Sequence, residues 1–236
     1  MTIVKLDDVS KKYSGVTVLN NVSISIDEGE FYGLIGINGA GKTTLINTLT
    51  GKVEPTNGSI NVLGMNPVKK GSQIREKIGI LPEKESPLDF MTVEEYFYFI
   101  GNVRGINEDK LHKKIDYWCD KLELENQRDL LNKNLSRGQK QKVLFASIFI
   151  HEPKLVLIDE PLANLDPIIQ EKIKSYLIDY NKKGNTVIFS THHLNVAREL
   201  CSKIGVMRNG NLTGEYNISD IESNNEIIEL LGDSNE

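Results

Sequence analysis

Residues 31–43 have the sequence FYGLIGINGAGKT, in which the run Phe31–Ile35 leads into a segment rich in glycine. The run is apolar throughout, which is typical of a strand buried on both faces. The residues from Lys42 to Leu49 then predict a helix. A glycine-rich turn between a strand and a helix directs backbone N–H groups, and the positive end of the helix, at a single anion. These residues therefore predict a phosphate site.

The glycine-rich segment also fits the pattern G-x-x-x-x-G-K-[ST], from Gly36 to Thr43. In this pattern Lys42 reaches the β- and γ-phosphates and the Thr43 hydroxyl is a ligand of Mg²⁺. The alternative is a chance glycine-rich turn, which has no reason to lie between a buried strand and a helix. We expect a nucleotide to be bound by Gly36, Ile37, Asn38, Gly39, Ala40, Gly41, Lys42, Thr43 and Thr44.

A second apolar run, Leu155–Ile158, ends in two acids, Asp159 and Glu160. An acid at the carboxyl end of a parallel strand lies in the crevice where ligands bind. Asp159 is suited to Mg²⁺, bound through water, and Glu160 to orienting or deprotonating an attacking water. A solvated acidic turn after a strand is common on its own, but it is a weaker explanation beside a phosphate loop.

The remaining chain predicts an α/β protein with a helical insertion. Period-2 alternation predicts strands over Thr2–Val9 and Val22–Ile26, and a helix over Pro167–Tyr180 precedes a strand over Thr186–Ser190. Such alternation indicates a mainly parallel sheet with helices packed on it. Between these parts, apolar residues at helical spacing from Thr92 to about Leu124 predict inserted helices. Thr92, with Glu95 three residues later, predicts a capping box at the start of the first of them.

Composition argues against several classes of protein for this chain. The 236 residues carry a net charge of −5, which argues against nucleic acid as a partner because phosphate-backbone binding needs a basic face. The two cysteines, Cys119 and Cys201, are far apart and exclude a disulfide scaffold or a cysteine-rich zinc site. The longest apolar run, Val143–Ile150, is too short to span a bilayer. We expect a cytoplasmic protein that reaches the inner face of the cell membrane only through a partner.

Residues 135–139, Leu-Ser-Arg-Gly-Gln, resemble the LSGGQ signature of ATP-binding cassette (ABC) ATPases and lie about twenty residues before the acidic strand. The spacing of Ser136 and Gln139 before an apolar run also predicts a capping box, and therefore a helix N-terminus that attracts anions. Four other segments are similar to motifs of the same family, in the same order. They are Tyr13 at the adenine-stacking position, Leu81-Pro82-Glu83 at the Q-loop, Ala163-Asn164-Leu165-Asp166 at the D-loop and Ser190-Thr191-His192 at the switch histidine.

The resemblance covers the chain from Thr2 to about Tyr216 and implies a fold. It implies one ABC ATPase domain with a RecA-like P-loop NTPase core formed by residues 1–84 and 151–218 and an antiparallel β subdomain at the N-terminus. Residues 85–150 would be the inserted helical subdomain with the signature motif, and residues 219–236 a C-terminal tail.

The resemblance also implies a mechanism. Two copies, as a homodimer or heterodimer, would bind ATP head to tail, each ATP lying between one phosphate loop and the partner's signature. The catalytic residues would be Glu160, His192 and Lys42, and the Mg²⁺ ligands Thr43, Glu83 and Asp159. The residues acting in trans would be Ser136, Arg137, Gly138, Gln139 and Asp166.

Two residues depart from the family pattern. Arg137 replaces a glycine of the signature, which is a mild change. Glu83 replaces the glutamine of the Q-loop and adds a negative charge near Asp159 and Glu160. A carboxylate binds Mg²⁺ better than an amide does, so we expect a stronger dependence on Mg²⁺ rather than a loss of activity. The alternative is that Glu83 faces a membrane partner.

The expected function is an ATP-hydrolysing subunit that powers a membrane ABC transporter, most similar to bacterial drug, bacteriocin or lipid exporters. Separate transmembrane permease subunits would move the substrate, docking near Glu83–Met91. A single-cassette ATPase of iron–sulfur cluster assembly is the alternative. A catalytically inactive binding module is disfavoured because Lys42, Asp159, Glu160 and His192 are all present.

Overall fold

A computed structural model describes residues 1–82, 87–162 and 165–221. Within these residues no helix is both long enough and apolar enough to cross a membrane. The elements follow one another in the order β1 (Thr2–Tyr13), β2 (Val16–Asp27), β3 (Phe31–Ile35), α1 (Lys42–Leu49), β4 (Asn57–Val62), α2 (Pro67–Lys77), β5 (Ile78–Leu81), α3 (Val93–Val103), α4 (Glu108–Lys121), α5 (Arg137–Phe149), β6 (Leu155–Asp159), α6 (Pro167–Lys182), β7 (Thr186–Thr191), α7 (Leu194–Leu200), β8 (Lys203–Arg208) and β9 (Asn211–Asn217).

The N-terminal strands form an antiparallel sheet in the order β2-β1-β4. Alternate side chains of β1 and β2, such as Leu6 opposite Ile24, are buried, which explains the period-2 pattern in the sequence. Both strands are longer than the predicted Thr2–Val9 and Val22–Ile26, because they continue to a turn at Ser14 and Gly15. Alternation of burial is lost there, so the pattern alone could not mark the strand ends.

The second sheet has six strands in the order β5-β6-β7-β3-β8-β9. All neighbours pair in parallel except β8 and β9, which form an antiparallel hairpin. In the registers of β3, β6 and β7, Asp159 lies opposite Ser190 and Ile35 lies opposite Thr191. The loops that follow these three strands therefore lie side by side at one edge of the sheet, as the α/β class predicted.

Helices α3, α4 and α5 form the helical layer, and an aromatic cluster joins it to the core. Trp118 of α4 contacts Phe145 and Phe149 of α5 and Tyr176 of α6, with ring centroids 4.7–6.0 Å apart. The predicted capping box of α3 is present, since Thr92 accepts a hydrogen bond from Glu95 N and the Glu95 carboxylate accepts one from Thr92 N. The helical layer is thus attached to the core by buried apolar packing.

Helix α2 was not predicted from the sequence. It buries only Pro67, Gly71 and Ile74, and its backbone is non-helical at Lys70, so it lacks a helical apolar period. The signal that could have found it is the pair Asn66-Pro67, because Asn66 is the N-cap residue and proline is favoured at the first helical position.

We predict that Trp118→Ala lowers the free energy of unfolding by about 3–5 kcal/mol, because it leaves a cavity where the indole packs between α5 and α6. Trp118 is 3% exposed. The neighbouring Tyr117 is 48% exposed, so Tyr117→Ala is the matched control and should cost about 1 kcal/mol or less. Denaturant unfolding followed by circular dichroism measures both, and equal losses would contradict the packing role.

Candidate active site

The phosphate loop joins the end of β3 to the start of α1, and two of its glycines are required by the geometry. A Cβ at Gly36 would lie 2.5 Å from the carbonyl oxygen of Met207, so only glycine permits this approach of the loop to β8. Gly41 is the N-cap residue of α1 and has φ of +104°, a left-handed conformation that favours glycine. The N-terminus of α1 therefore opens directly onto the loop, as the motif predicted.

Lys42 is the first residue of α1 and is 7% exposed. Its ammonium donates to the carbonyl oxygens of Gly36, at 2.6 Å, and Ile37, at 3.2 Å. The side chain therefore folds back over the loop from which it arises. This places a positive charge beside the N–H groups at the start of the helix, which is where an anion would be bound.

Asp159 connects three elements at the carboxyl edge of the sheet. It is 1% exposed, and its Oδ2 accepts a hydrogen bond of 2.6 Å from the Thr43 hydroxyl of α1. Its Oδ1 accepts one from the Ser190 hydroxyl of β7. Ser190 was predicted only as part of the switch-histidine motif, and its position opposite Asp159 in the register accounts for this contact.

Glu160 follows Asp159 and is held by the segment after β7. Its Oε1 accepts hydrogen bonds from the backbone N–H of His192, at 2.9 Å, and from the ring Nδ1 of His192, at 2.7 Å. The Thr191 hydroxyl lies 3.4 Å from Oε2. Because a carboxylate only accepts, Nδ1 carries the ring proton in this contact. The structure thus brings the predicted Glu160 and His192 into direct contact.

The backbone of Glu160 has a φ of +49°, in the left-handed region that non-glycine residues seldom adopt. The Glu160 N–H donates to the carbonyl oxygen of Ser190 at 3.2 Å. Such a conformation persists only where its surroundings enforce it, and it is most frequent at active sites. The side chain is thereby directed to the segment after β7, where its carboxylate contacts His192.

A cavity of about 430 Å³ joins these parts. Glu160 and Asp159 line it opposite the phosphate loop, and Val18 of β2 completes it. Of the predicted nucleotide-binding residues, those lining the cavity are Asn38, Gly39, Ala40, Gly41, Lys42, Thr43 and Thr44.

Tyr13 does not line this cavity. It lies at the end of β1, is 45% exposed, and has the Lys11 ammonium 4.9 Å from its ring centroid. The β1–β2 hairpin carries Val18 into the cavity while Tyr13 remains at the exposed tip. An adenine reaching Tyr13 would therefore lie outside the cavity itself.

The signature residues form a separate site. Ser136 is the N-cap residue of α5, accepting from Gln139 N at 3.2 Å, and Gln139 Oε1 accepts from Ser136 N at 2.8 Å, as the predicted capping box requires. Arg137 is exposed and Gly138 partly exposed on the first turn of α5. None of these residues lines the phosphate cavity. Asp166 does not line the phosphate cavity either. It is the N-cap residue of α6, and its side chain accepts a hydrogen bond from Ile169 N at 3.0 Å.

Three predicted positions lie outside the described residues. They are Glu83, the predicted third metal ligand, and Ala163 and Asn164 of the D-loop. The oxygen atoms of Thr43 and Asp159 are hydroxyl and carboxylate donors, the hard ligands that Mg²⁺ prefers. These two residues therefore fit the predicted metal.

Sequence comparison identifies the family. A family model described as ABC transporter matches residues 19–163. The chain is 33% identical over 228 residues to an uncharacterized ABC transporter ATP-binding protein, MJ1023 of Methanocaldococcus jannaschii, covering 97% of this chain and 82% of that protein. It is also 33% identical over 231 residues to the methionine import ATP-binding protein MetN of Geobacillus kaustophilus, covering 94% and 68%.

The comparison with solved structures identifies the same family. An ATP-binding subunit of an ABC transporter superposes with a TM-score of 0.87 at 29% identity, covering 99% of this chain and 96% of that one. A dimeric post-hydrolysis state of the ATP-binding cassette MJ0796, bound to ADP and phosphate, superposes with a TM-score of 0.84 at 28% identity, covering 91% and 98%. With the phosphate loop facing Glu160 and Asp159, these matches establish that the chain belongs to the ABC transporter family, as an ATP-binding subunit that hydrolyses ATP.

Proposed function

We propose that Glu160 is the catalytic base of this ATPase and that hydrolysis powers a membrane exporter from the cytoplasmic side of the membrane. The observation that carries the assignment is the contact between the Glu160 carboxylate and both N–H groups of His192, at the edge of the phosphate cavity. Two donors at Oε1 fix the carboxylate in one orientation. Oε2 is then the atom that accepts the proton of the attacking water.

The phosphates of ATP would lie against the N-terminus of α1. Lys42 would exchange its contacts with the loop carbonyls for the β- and γ-phosphates, since both sets of partners are oxygen acceptors within reach of one ammonium. For Nε2 of His192 to donate to the γ-phosphate while Nδ1 donates to Glu160, the ring would carry both protons, as an imidazolium. Thr43, Asp159 and, from the sequence, Glu83 would hold Mg²⁺, which when bound neutralises charge on the β- and γ-phosphate oxygens.

A complete ATP site would need two copies of the chain. The cavity of one copy contains the phosphate loop and Glu160, while the α5 N-terminus beginning after Ser136 is elsewhere on the molecule. A helix N-terminus carries partial positive charge and would bind the γ-phosphate of ATP held by a partner copy. Ser136, Arg137, Gly138, Gln139 and Asp166 are the residues that would act in trans. The dimeric state of the related cassette MJ0796 supports this arrangement.

The loop ahead of α3 is the proposed contact for separate permease subunits. Its side chains Leu88 and Phe90 are 46% and 87% exposed. The buried Asn132 ties this loop to the segment before Ser136, since Asn132 N donates to Met91 O at 2.9 Å and Asn132 Nδ2 donates to Leu88 O at 3.0 Å. Movement of the loop would therefore be passed directly to the signature turn.

An importer is the second candidate. Its support is the 33% identity to MetN, which is a methionine import protein. The exporter assignment rests on the resemblance of residues 31–51, 58–64 and 78–83 to exporter ATPases.

We predict that Glu160→Gln abolishes most turnover, by about 10²–10⁴-fold, because the amide cannot take a proton from water. Binding of ATP should persist, so a dimer should accumulate on gel filtration when ATP is added. Glu28→Gln, an exposed residue between β2 and β3, is the matched control and should behave as wild type. Turnover of Glu160→Gln near the wild-type rate would remove Glu160 from the role of base.

We predict that Tyr13→Ala weakens ATP binding by about one to two decades in Kd, since base–aromatic stacking is worth about 1–3 kcal/mol. Tyr13→Trp should retain binding, because the contact needs an aromatic face. Isothermal titration with ATP and Mg²⁺ measures both variants. Unchanged affinity of the alanine variant would leave Tyr13 as a strand-end residue only.

The direction of transport is tested in cells of the source organism. For an exporter, Lys42→Ala should lower the inhibitory concentration of at least one compound in a panel of antibiotics and bacteriocins, because the phosphate loop loses its cation. Lys69→Ala, on the exposed side of α2, is the control. If Lys42→Ala instead prevents growth only when methionine is limiting, the importer replaces the exporter.

A further inference from the structure

The tip of the β1–β2 hairpin brings a cation and an aromatic ring into contact. Tyr13 is the last residue of β1 and pairs with Val16 across the turn at Ser14 and Gly15. Its side chain is 45% exposed, and the Lys11 ammonium lies over the ring, 4.9 Å from the centroid. A cation at this distance is attracted by the negative charge on the ring face. One face of the ring is therefore occupied by the ammonium, while much of the side chain remains open to a ligand.

The Lys11 ammonium is anchored by a backbone carbonyl group as well as by the ring. Its Nζ donates to Glu54 O at 2.7 Å. A lysine side chain that is free in water samples many rotamers, because its stem has four carbons and its head makes no fixed contact. Here the carbonyl oxygen and the aromatic face act together on one ammonium, so each contact restricts the side chain for the other.

The segment that carries Glu54 O is itself fixed on both sides. Towards α1, Val53 N donates to Asn47 O at 3.1 Å. Towards β1, Thr56 N donates to Ser10 O at 2.7 Å. The acceptor of the ammonium thus keeps its place relative to β1 and to the helix that begins at the phosphate loop. The ammonium is a fixed support for the ring rather than a mobile surface charge.

The strand order indicates which side of Tyr13 the ammonium covers. In the sheet β2-β1-β4, Glu54 precedes β4, so Lys11 is drawn to the β4 side of β1. The phosphate cavity borders the opposite side, where Val18 of β2 lines it. The ammonium therefore approaches the ring from the side away from the cavity. The side of the ring towards the phosphates is left for a nucleotide base.

We propose that Lys11 is a positioning residue for the nucleotide base. Its ammonium, fixed by Glu54 O, holds one face of Tyr13 so that the other face is presented to adenine before ATP binds. Immobilising a freely rotating side chain on binding costs affinity, and a ring that is already held avoids that cost. The proposal rests on the proposed stacking of adenine on Tyr13 and adds the residue that orients the ring.

The test measures binding of the non-hydrolysable ATP analogue AMP-PNP, with Mg²⁺, to the full chain by isothermal titration. Lys11→Met keeps the aliphatic stem but removes the ammonium. It should weaken binding by about two- to tenfold, the cost of ordering one side chain. Lys11→Arg should bind within about twofold of wild type, because a guanidinium also donates and stacks on an aromatic face. Lys12→Met removes the same charge from the exposed neighbouring residue and should bind as wild type.

A ligand without a base separates orientation of the ring from attraction of the phosphates. Inorganic tripolyphosphate should bind equally to wild type and to Lys11→Met. If Lys11→Met weakens tripolyphosphate as much as AMP-PNP, Lys11 acts as a charge for the phosphates and the proposal is overturned. Tighter binding of AMP-PNP to Lys11→Met would also overturn it, because the ammonium would then occupy the face that adenine needs.

A double-mutant cycle shows whether Lys11 acts through Tyr13. In the Tyr13→Ala background, Lys11→Met should have no further effect on AMP-PNP binding, because no ring remains to be oriented. Additive losses would overturn the proposal. Unchanged affinity of Tyr13→Ala would overturn the stacking of adenine and, with it, the role of Lys11. Loss of affinity in Tyr13→Ala together with wild-type affinity of Lys11→Met would overturn the role of Lys11 alone.

Discussion

The buried carboxylate of Asp159 is the contact on which the active site depends. It is 1% exposed and accepts hydrogen bonds from Thr43 and Ser190, so that it joins α1, β6 and β7. An ionised carboxylate can remain buried only if its oxygens are satisfied, so the two hydroxyl groups are required by its burial. The parallel register of β6 and β7 brings Ser190 opposite Asp159, and the turn of the phosphate loop brings Thr43 to its other side. The position of the proposed nucleotide site thus follows from the pairing of the central strands.

The conformation of Glu160 is held by contacts at the same carboxyl edge of the sheet. A left-handed φ costs a non-glycine residue on the order of 1–2 kcal/mol. Charge-assisted hydrogen bonds contribute about 1.5–3 kcal/mol each, and His192 supplies two of them to the Glu160 carboxylate. The contacts therefore outweigh the strain, and the side chain is fixed before ATP binds. In the proposed role of base, Glu160 would need no reorganisation when charge develops, and catalysis would gain from this.

The sequence predicted the parts of the fold in which local pattern and tertiary environment agree. The apolar runs Phe31–Ile35 and Leu155–Ile158 are the central strands because both faces of that sheet are covered. The glycine-rich loop and the two capping boxes were predictable because each rests on contacts within a few residues. The contact of Glu160 with His192 was not predictable from local pattern, since it joins residues 32 positions apart through the pairing of two strands. Helix α2 was not predicted, because it buries few side chains and its backbone is non-helical at Lys70.

The contacts of Arg75 and Arg104 show a different limit of what a sequence pattern predicts. Arg75 and Arg104 are 29 residues apart, and nothing in their surroundings marks either as a binding residue. They become related only because each guanidinium donates to carbonyl groups at the end of a helix. Arg75 donates to Thr50, the C-cap residue of α1, and Arg104 donates to the last turn of α2. The C-terminal carbonyl groups of a helix carry partial negative charge, which holds a cation in place without neutralising it. Since α1 begins at the phosphate loop and ends at the carbonyl group that holds Arg75, this one helix joins a fixed cation to the proposed phosphate site.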